Sequence, residues 1–323
     1  MKTIAFFNNK GGVGKTSLLY HLAHMFALRG RRVVTADLDP QANLSGMFLQ
    51  DDRIEALWSA GGAATVYSAM RPLIEGTGDL LVPTPQVVQR HLGLIPGDLT
   101  LSEVEDELSS QWPRCLNGEA RAFRVTAAFD RMLRAVGSAQ NADLGLIDVG
   151  PNLGAINRCA LVSADYVIIP IGADLFSIRG LQNVGPKLRA WRREWEDRRG
   201  RVPSGLGFEL PQGDMRPIGY VISRYSSYGR SAAKAFQRWL DRAPRIYAED
   251  VLNLSGQVPT QTPDTNRLAQ LKDYRSLMAM AQEARKPMFS LRPADGAIGG
   301  HQAAVGECYR DFNALAEEIE RRI

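Results

Sequence analysis

Apolar residues fall along this chain in two rhythms. Short runs without alternation occur at Thr3 to Asn8, Val33 to Asp37, Leu144 to Asp148, Tyr166 to Pro170 and Ile218 to Ser223. Such runs suit strands covered on both faces, as in a parallel sheet. Between them the spacing turns helical. Thr16 to Leu28 places Leu18, Leu19, Leu22, Ala23, Phe26 and Ala27 on one side, and Gly30 stops the pattern. Helices are also predicted at about Ala155–Ser163 and Ile178–Trp195. Tyr309, Phe312, Leu315, Ala316 and Ile319 form a helical face near the end. This alternation predicts a doubly wound α/β fold with a mostly parallel sheet. Two stretches, near 109–119 and 197–214, are polar or rich in Pro and Gly. They read as loop insertions within a single domain spanning 1–323, because strands resume after each.

Composition narrows the class. Of the 323 residues 45% are apolar and 23% charged, which argues against global disorder. No stretch approaches the ~20 apolar residues of a membrane-spanning helix. Met1-Lys2-Thr3 runs straight into a short apolar run, which reads as a strand and not a signal peptide. Cys115, Cys159 and Cys308 stand singly, so a disulfide framework or a cysteine-held metal is not expected, and reduced thiols in a cytoplasmic protein are.

Charge is unevenly spread. Between Lys187 and Arg245 there are 14 Lys and Arg against 6 Asp and Glu, a net of +8, whereas the remainder nets −4. One helical side of this segment carries Trp191 and Trp195 with Leu181, Val184 and Leu188, a stripe that reads as core. The other side carries Lys187, Arg189, Arg192, Arg193, Arg198 and Arg199. A second basic set follows at Arg224, Arg230, Lys234, Arg238, Arg242 and Arg245, with Lys234 and Arg238 sharing a face. A polyanion-binding face and ordinary solvated arginines both fit this distribution. His21 and His24 lack further ligands nearby and read as packing residues.

The strongest chemical signal is Lys10-Gly11-Gly12-Val13-Gly14-Lys15-Thr16-Ser17, set between a strand and a helix. Glycines let backbone N–H groups converge on a phosphate, and the following helix adds its positive N-terminal end. Lys15 would reach the β- and γ-phosphates, and the Thr16 hydroxyl would hold Mg²⁺. Asn9 stands where an ordinary P-loop has its first Gly, and a second lysine, Lys10, comes with it. At the end of the second strand comes Ala36-Asp37-Leu38-Asp39-Pro40-Gln41-Ala42-Asn43-Leu44-Ser45. Carboxylates at i and i+2 on a strand's C-terminal end point the same way, so one can sit near Mg²⁺ while the other orients a water. A third motif, Leu144 to Asp148 followed by Val149-Gly150-Pro151, is an apolar strand ending in Asp. That is the Walker B arrangement, whose carboxylate reaches Mg²⁺, usually through water.

Together these strings resemble the deviant Walker A family of ParA and MinD ATPases. The Pro40-Gln41 pair matches its ParA members. So do Ile95-Pro96-Gly97-Asp98-Leu99 with Leu101 and Glu105, Ser163-Ala164-Asp165, Val258-Pro259 and Lys286-Pro287-Met288-Phe289. The likeness runs from residue 2 to about 320. It implies that ATP with Mg²⁺ is bound by residues 10–17 and Pro259. Asp39 would position the attacking water, and Asp37 and Asp148 would lie on the Mg²⁺ side. It implies that Lys10 crosses an ATP-dependent homodimer interface to the partner's phosphates. It also implies non-specific DNA binding through the C-terminal half, with Arg192, Arg193, Arg224, Arg230, Lys234 and Arg238 as candidates. A ParB-like partner would stimulate a weak ATPase, in the cytoplasm on the nucleoid. The output would be plasmid or chromosome partitioning, or cargo positioning. Gly150 replaces the family's usual proline and implies a looser loop. The alternative is a MinD-like membrane-associated ATPase. The last turns carry Glu317, Glu318 and Glu320 beside Arg321 and Arg322, a poor match to an anionic membrane. An iron–sulfur relative would need paired cysteines, and an amide-forming ligase of the superfamily usually lacks the lysine at position 10.

Overall fold

A computed structural model describes residues 1–172, 174–225, 237, 240–254 and 264–323, apart from the side chains of residues 175, 176, 224, 225 and 275. Eight strands form one sheet: β1 (Lys2–Phe6), β2 (Val33–Asp37), β3 (Gln86–Gln89), β4 (Leu92–Ile95), β5 (Leu144–Asp148), β6 (Tyr166–Ile171), β7 (Arg216–Tyr225) and β8 (Arg267–Lys272). Their spatial order is β3-β4-β2-β5-β1-β6-β7-β8. Only the short edge strand β3 runs antiparallel to its neighbour β4. The helices before β5 are α1 (Lys15–Leu28), α2 (Asn43–Phe48), α3 (Asp51–Ser59), α4 (Val66–Glu75), α5 (Val104–Arg114), α6 (Ala120–Thr126) and α7 (Ala128–Ala139). Those after it are α8 (Ala155–Val162), α9 (Leu175–Arg199), a short turn of helix at Ala243–Ile246, and the helices Arg275–Ala284 and Gly300–Arg322.

The sheet is buried on both faces, which is why its strands lack polar alternation. Ala5, Ile147, Val149, Val167 and Ile169 face one core, with α4 to α9. Ile4, Phe6, Leu146 and Ile168 face the other, with α1 and the last two helices. The C-terminal helix buries Phe312, Leu315, Ala316 and Ile319, while Tyr309 is 45% exposed. Its acidic side closes on α1: Arg29 pairs with Glu317 and Glu320, and Arg31 pairs with Glu320. Its apolar face is therefore used internally. Among the described residues, no helix is long and apolar enough to cross a membrane.

One expectation fails. The stretch near 109–119 is not a loop insertion. It is the end of α5 followed by a 3₁₀ turn at Cys115–Asn117. Pro113 lies in the last turn of α5, where its missing N–H and its clash with the preceding turn are a local cost to the helix. Tertiary packing overrides its local signal, because Trp112 is buried and stacks on Trp195 with ring centroids 5.6 Å apart. Arg158 and Arg198 lie over the Trp112 ring at 4.3 and 4.4 Å. The stretch near 197–214 does leave regular structure once α9 ends at Arg199. Trp191 and Trp195 are core residues as expected. Midway along α9, Gly185 lies directly against the backbone of Asp250 and Val251, where any side chain would collide.

Candidate functional site

The register of three adjacent strands assembles the site. Phe6 of β1 pairs with Asp148 of β5, and Asp148 pairs with Asp37 of β2. The C-terminal ends of these strands thus stop level, and each is followed by one motif. From β1 the chain enters the glycine loop. Gly12 and Gly14 have φ of 75° and 84°, left-handed values that residues with a Cβ rarely adopt. Gly14 caps α1, and its carbonyl accepts from Leu18 N–H at 2.9 Å. The helix N-terminus and the loop amides therefore face the crevice above the sheet, which suits phosphate.

Lys15 is buried, 7% exposed, and its Nζ donates to the Lys10 carbonyl at 3.4 Å. Burial pulls its pKa down, while the nearby Asp148 and Asp39 carboxylates oppose that shift. Asp37 is fully buried. Its Oδ2 accepts from Ser45 N–H at 2.8 Å and Ser45 Oγ–H at 2.7 Å, and Ser45 Oγ in turn accepts from Gly97 N–H at 2.8 Å. Asp37 Oδ1 has no hydrogen-bond partner. Both oxygens of Asp148 are likewise buried without a geometric hydrogen bond. Burial raises the pKa of Asp37 and of Asp148, and each carboxylate has another beside it that raises it further. The adjacent Thr16 hydroxyl and Lys15 partly offset this at Asp148. Asp39 is 6% exposed, and its Oδ1 accepts from Gln41 N–H at 3.0 Å.

Buried carboxylate oxygens without donors are costly unless a cation satisfies them. A divalent ion beside Thr16, Asp37 and Asp148 fits that need. Among the described residues no group of three His, Cys, Asp or Glu side chains makes a complete metal cage. Mg²⁺ is ordinarily bound through one or two carboxylates, with water and phosphate filling the rest.

Lys10 is placed by elements the sequence did not single out. Asn8 donates to the Pro170 carbonyl at 2.8 Å and accepts from Lys10 N–H at 3.0 Å, fixing the start of the loop. Lys10 Nζ then reaches Asp174 Oδ1 at 2.6 Å and Ser177 Oγ at 3.2 Å. Burial alone would raise the Asp174 pKa, but its bonds to Lys10 and Ser177 outweigh this and lower it. The loop after Asp148 is pinned from two sides. Glu105 accepts from Ala155 N–H and Ile156 N–H, capping α8, and Asn157 Nδ2 donates to Gly150 O at 2.9 Å and Asn152 O at 2.8 Å. The looseness implied by Gly150 is thus countered by side-chain bonds. Glu105 and Ser45 were visible only as parts of matching strings; Asn157, Asp174 and Ser177 carried no sequence signal of their own.

The basic side of α9 divides into two kinds. Arg189 donates to the carbonyls of Asp250 and Val251, Arg192 to those of Asp214 and Met215, and Arg198 to those of Trp112 and Glu194. These guanidinium groups hold the fold together. Lys187 and Arg193 are exposed. Pro259, Arg230, Lys234 and Arg238, together with the side chain of Arg224, lie outside the described residues. His21 and His24 are packing residues: His21 stacks on Phe312, and His24 meets Gln89 at 3.2 Å.

Residues 1–198 match a family model described as an AAA domain. The chromosome partitioning protein ParA of Myxococcus xanthus is 34% identical over 189 residues, covering 57% of this chain and 56% of that protein. An uncharacterised protein of Methanocaldococcus jannaschii is 32% identical over 254 residues, covering 76% and 82%. The chain spans about half the length of the first curated relatives it matches. A solved structure from Corynebacterium diphtheriae superimposes with a TM-score of 0.73 at 25% identity, covering 100% of this chain and 98% of that one. A plasmid partition protein from Borrelia burgdorferi, bound to AMPPNP, shares the fold with a TM-score of 0.61 at 20% identity, covering 100% and 99%. The chain belongs to this family, as a P-loop ATPase of the ParA type.

Proposed function

We propose that the protein hydrolyses ATP slowly, dimerises when ATP is bound, and in that state holds DNA without regard to sequence. The observation that carries the reading is the convergence of Lys15, Asp37, Asp39 and Asp148 on one crevice at the mouth of the glycine loop. Loop amides of residues 11–16 and the start of α1 hold the phosphates, and Lys15 places a point charge at the γ-phosphate end. Thr16, Asp148 and Asp37 would hold Mg²⁺, which would supply neutralisation of the phosphate charge. Asp39 orients a water for in-line attack. Lys10 leaves Asp174 and reaches the partner subunit's nucleotide.

DNA would meet the basic segment between Lys187 and Arg245, with Arg193 as an exposed candidate on α9. Hydrolysis would then release the dimer, and a ParB-like partner would speed it. The biological output is DNA partitioning or cargo positioning on the nucleoid. The burial of the C-terminal helix's apolar face supports DNA over a membrane surface as the partner. Two measurements test the reading together: ATP turnover, and binding to random-sequence DNA and anionic vesicles with ATP, ADP or no nucleotide. DNA binding in ATP alone is expected. Vesicle binding without DNA binding would favour the membrane reading, and no nucleotide affinity would overturn the whole.

A further inference from the structure

Asn157 sits in the first turn of α8 and is 1% exposed. Its amide nitrogen is surrounded by three acceptors: Gly150 O at 2.9 Å, Asn152 O at 2.8 Å and Asn152 Oδ1 at 3.0 Å. Its own Oδ1 is buried with no partner. A buried acceptor left empty is a cost, and it is met by three contacts that all bind one short loop. That loop, 149–154, leaves Asp148 and returns to α8.

The loop has one other close neighbour in the crevice. A Cβ on Gly150 would stand 3.3 Å from Asp39 Oδ1, 3.6 Å from Asp39 Cγ and 3.8 Å from Asn157 Nδ2. Gly150 thus leaves a methyl-sized space bordered by both the Asp39 carboxylate and the Asn157 amide, and Asn157 ties the Gly150 carbonyl in place beside that carboxylate. On the far side of the loop, the Glu105 cap keeps α8 itself in place.

We infer that Asn157 is a positioning residue for ATP hydrolysis: by clamping the Gly150 carbonyl it fixes the surface that sets the place of the Asp39 carboxylate. Asn157 acts through its bonds to Gly150 and Asn152. The inference rests on the ATPase reading for its rate consequence and on the apo protein for its structural one.

Three variants test it. Asn157→Ala removes the donors. Asn157→Asp keeps the volume but sets carboxylate oxygens against the Gly150 and Asn152 carbonyls. Gly150→Ala presses a methyl on Asp39 while leaving Asn157 intact, and it remains informative where the buried substitutions fold poorly. Each is expected to slow single-turnover ATP hydrolysis by roughly tenfold or more, since a displacement of about 1 Å can cost that much. Affinity for a non-hydrolysable ATP analogue is expected to stay within about twofold, because the glycine loop is untouched. Asn157→Ala with Gly150→Ala should be no slower than the worse single variant by more than about twofold, as expected of two residues acting through one contact. In the nucleotide-free protein, amide hydrogen exchange of 149–156 should rise in Asn157→Ala and not in Gly150→Ala. Wild-type turnover in Asn157→Ala, parallel loss of analogue affinity, or multiplicative rate losses in the double variant would overturn the inference. Unchanged exchange of 149–156 would overturn the clamp by itself, whether or not the wild type hydrolyses ATP. A wild type without turnover would instead sink the ATPase reading and leave the exchange result to judge the clamp.

Discussion

Lys10 Nζ and Asp174 Oδ1 are 2.6 Å apart, so the lysine expected to serve a second subunit is held within its own. The two side chains are 32% and 43% exposed, and a pair that open contributes on the order of 1 kcal/mol or less. Such a bond is easily exchanged for a phosphate. Asp174→Asn should therefore promote ATP-dependent dimerisation, lowering the protein concentration at the midpoint by up to about thirtyfold, because each dimer exchanges two such pairs. Lys10→Ala should weaken dimerisation instead. Sedimentation velocity with ATP decides both, and a Lys10→Ala protein that dimerises like wild type would remove the role across the interface.

Lys15 is the only cationic side chain described as buried within the glycine loop. Backbone amides cannot replace a point charge there. Lys15→Ala should abolish ATP binding as read by a fluorescent analogue. Retained affinity would contradict the assignment of the loop.

Asp39→Ala should behave differently. It leaves the glycine loop and the Asp37–Ser45 bonds intact, so nucleotide binds and the dimer forms, but turnover is lost. Phosphate release with and without ATP-dependent sedimentation separates the two steps. A variant that hydrolyses normally would move water positioning to another residue.

The arginines of α9 should part company under substitution. Arg193→Glu and Lys187→Glu change exposed charges and should weaken DNA binding with little change in melting temperature. Arg192→Glu should also lower the melting temperature, because the Asp214 and Met215 carbonyls lose their donor. If about three phosphates are met per subunit, the ATP-bound dimer should show a slope of log K against log salt of roughly −5. Affinity that ignores salt would argue against a phosphate-contacting face.

His21 gives the protein an acid limit. Met288 N–H donates to His21 Nε2 at 3.1 Å, so Nε2 is the acceptor and Nδ1 carries the proton toward Ser17 O at 2.7 Å. Protonation would set an N–H against an N–H. Burial accordingly drives the His21 pKa down to about 4, from an ordinary 6.5. A group with a depressed folded value contributes stability above its unfolded pKa and loses it as pH falls, here between 6.5 and 4. The contribution is on the order of 3 kcal/mol at neutral pH. Denaturant unfolding across that range should show the loss, and His21→Asn should flatten the part that belongs to this residue. An unchanged slope in the variant would assign the titration elsewhere, with His24 the next candidate, since burial pushes its pKa to about 4 as well.

Much of this architecture could be read in advance, for identifiable reasons. β2 and β5 have the bounds their apolar runs predict, and β1, β6 and β7 differ only at their ends, because central parallel strands need unbroken hydrophobic sequence. Three strands escaped notice: β4, Leu-Gly-Leu-Ile, is internal and buried but only four residues long, and the other two lie at the edges. β3 is Gln-Val-Val-Gln, four residues at an edge, and β8 reads Arg-Leu-Ala-Gln-Leu-Lys, partly open to solvent. α5 was hidden by Pro113, whose local cost is outweighed by the buried Trp112. At the site, the residues that do chemistry stand in short strings, because each motif occupies one strand end. The residues that hold them come from distant places, as Asp174 does for Lys10 and Asn157 for Gly150. Proximity of that kind exists only after folding.

The long helix α9 gives the molecule a mechanical character. It has 25 residues, a rod of about 37 Å. One end begins beside Ser177 and the Lys10 contact, and the other carries Trp195 into its stack with Trp112. Between them, bare Gly185 bears on the chain at Asp250 and Val251. Load at one tip and a bearing partway along are the parts of a seesaw. A tilt of only about 3° about that fulcrum would swing a rod of this length by about 2 Å end to end. The release of one lysine at the nucleotide would thus be felt most at the far tip of α9, by the Trp195 stack, and hardly at all at Lys187, two residues from the fulcrum.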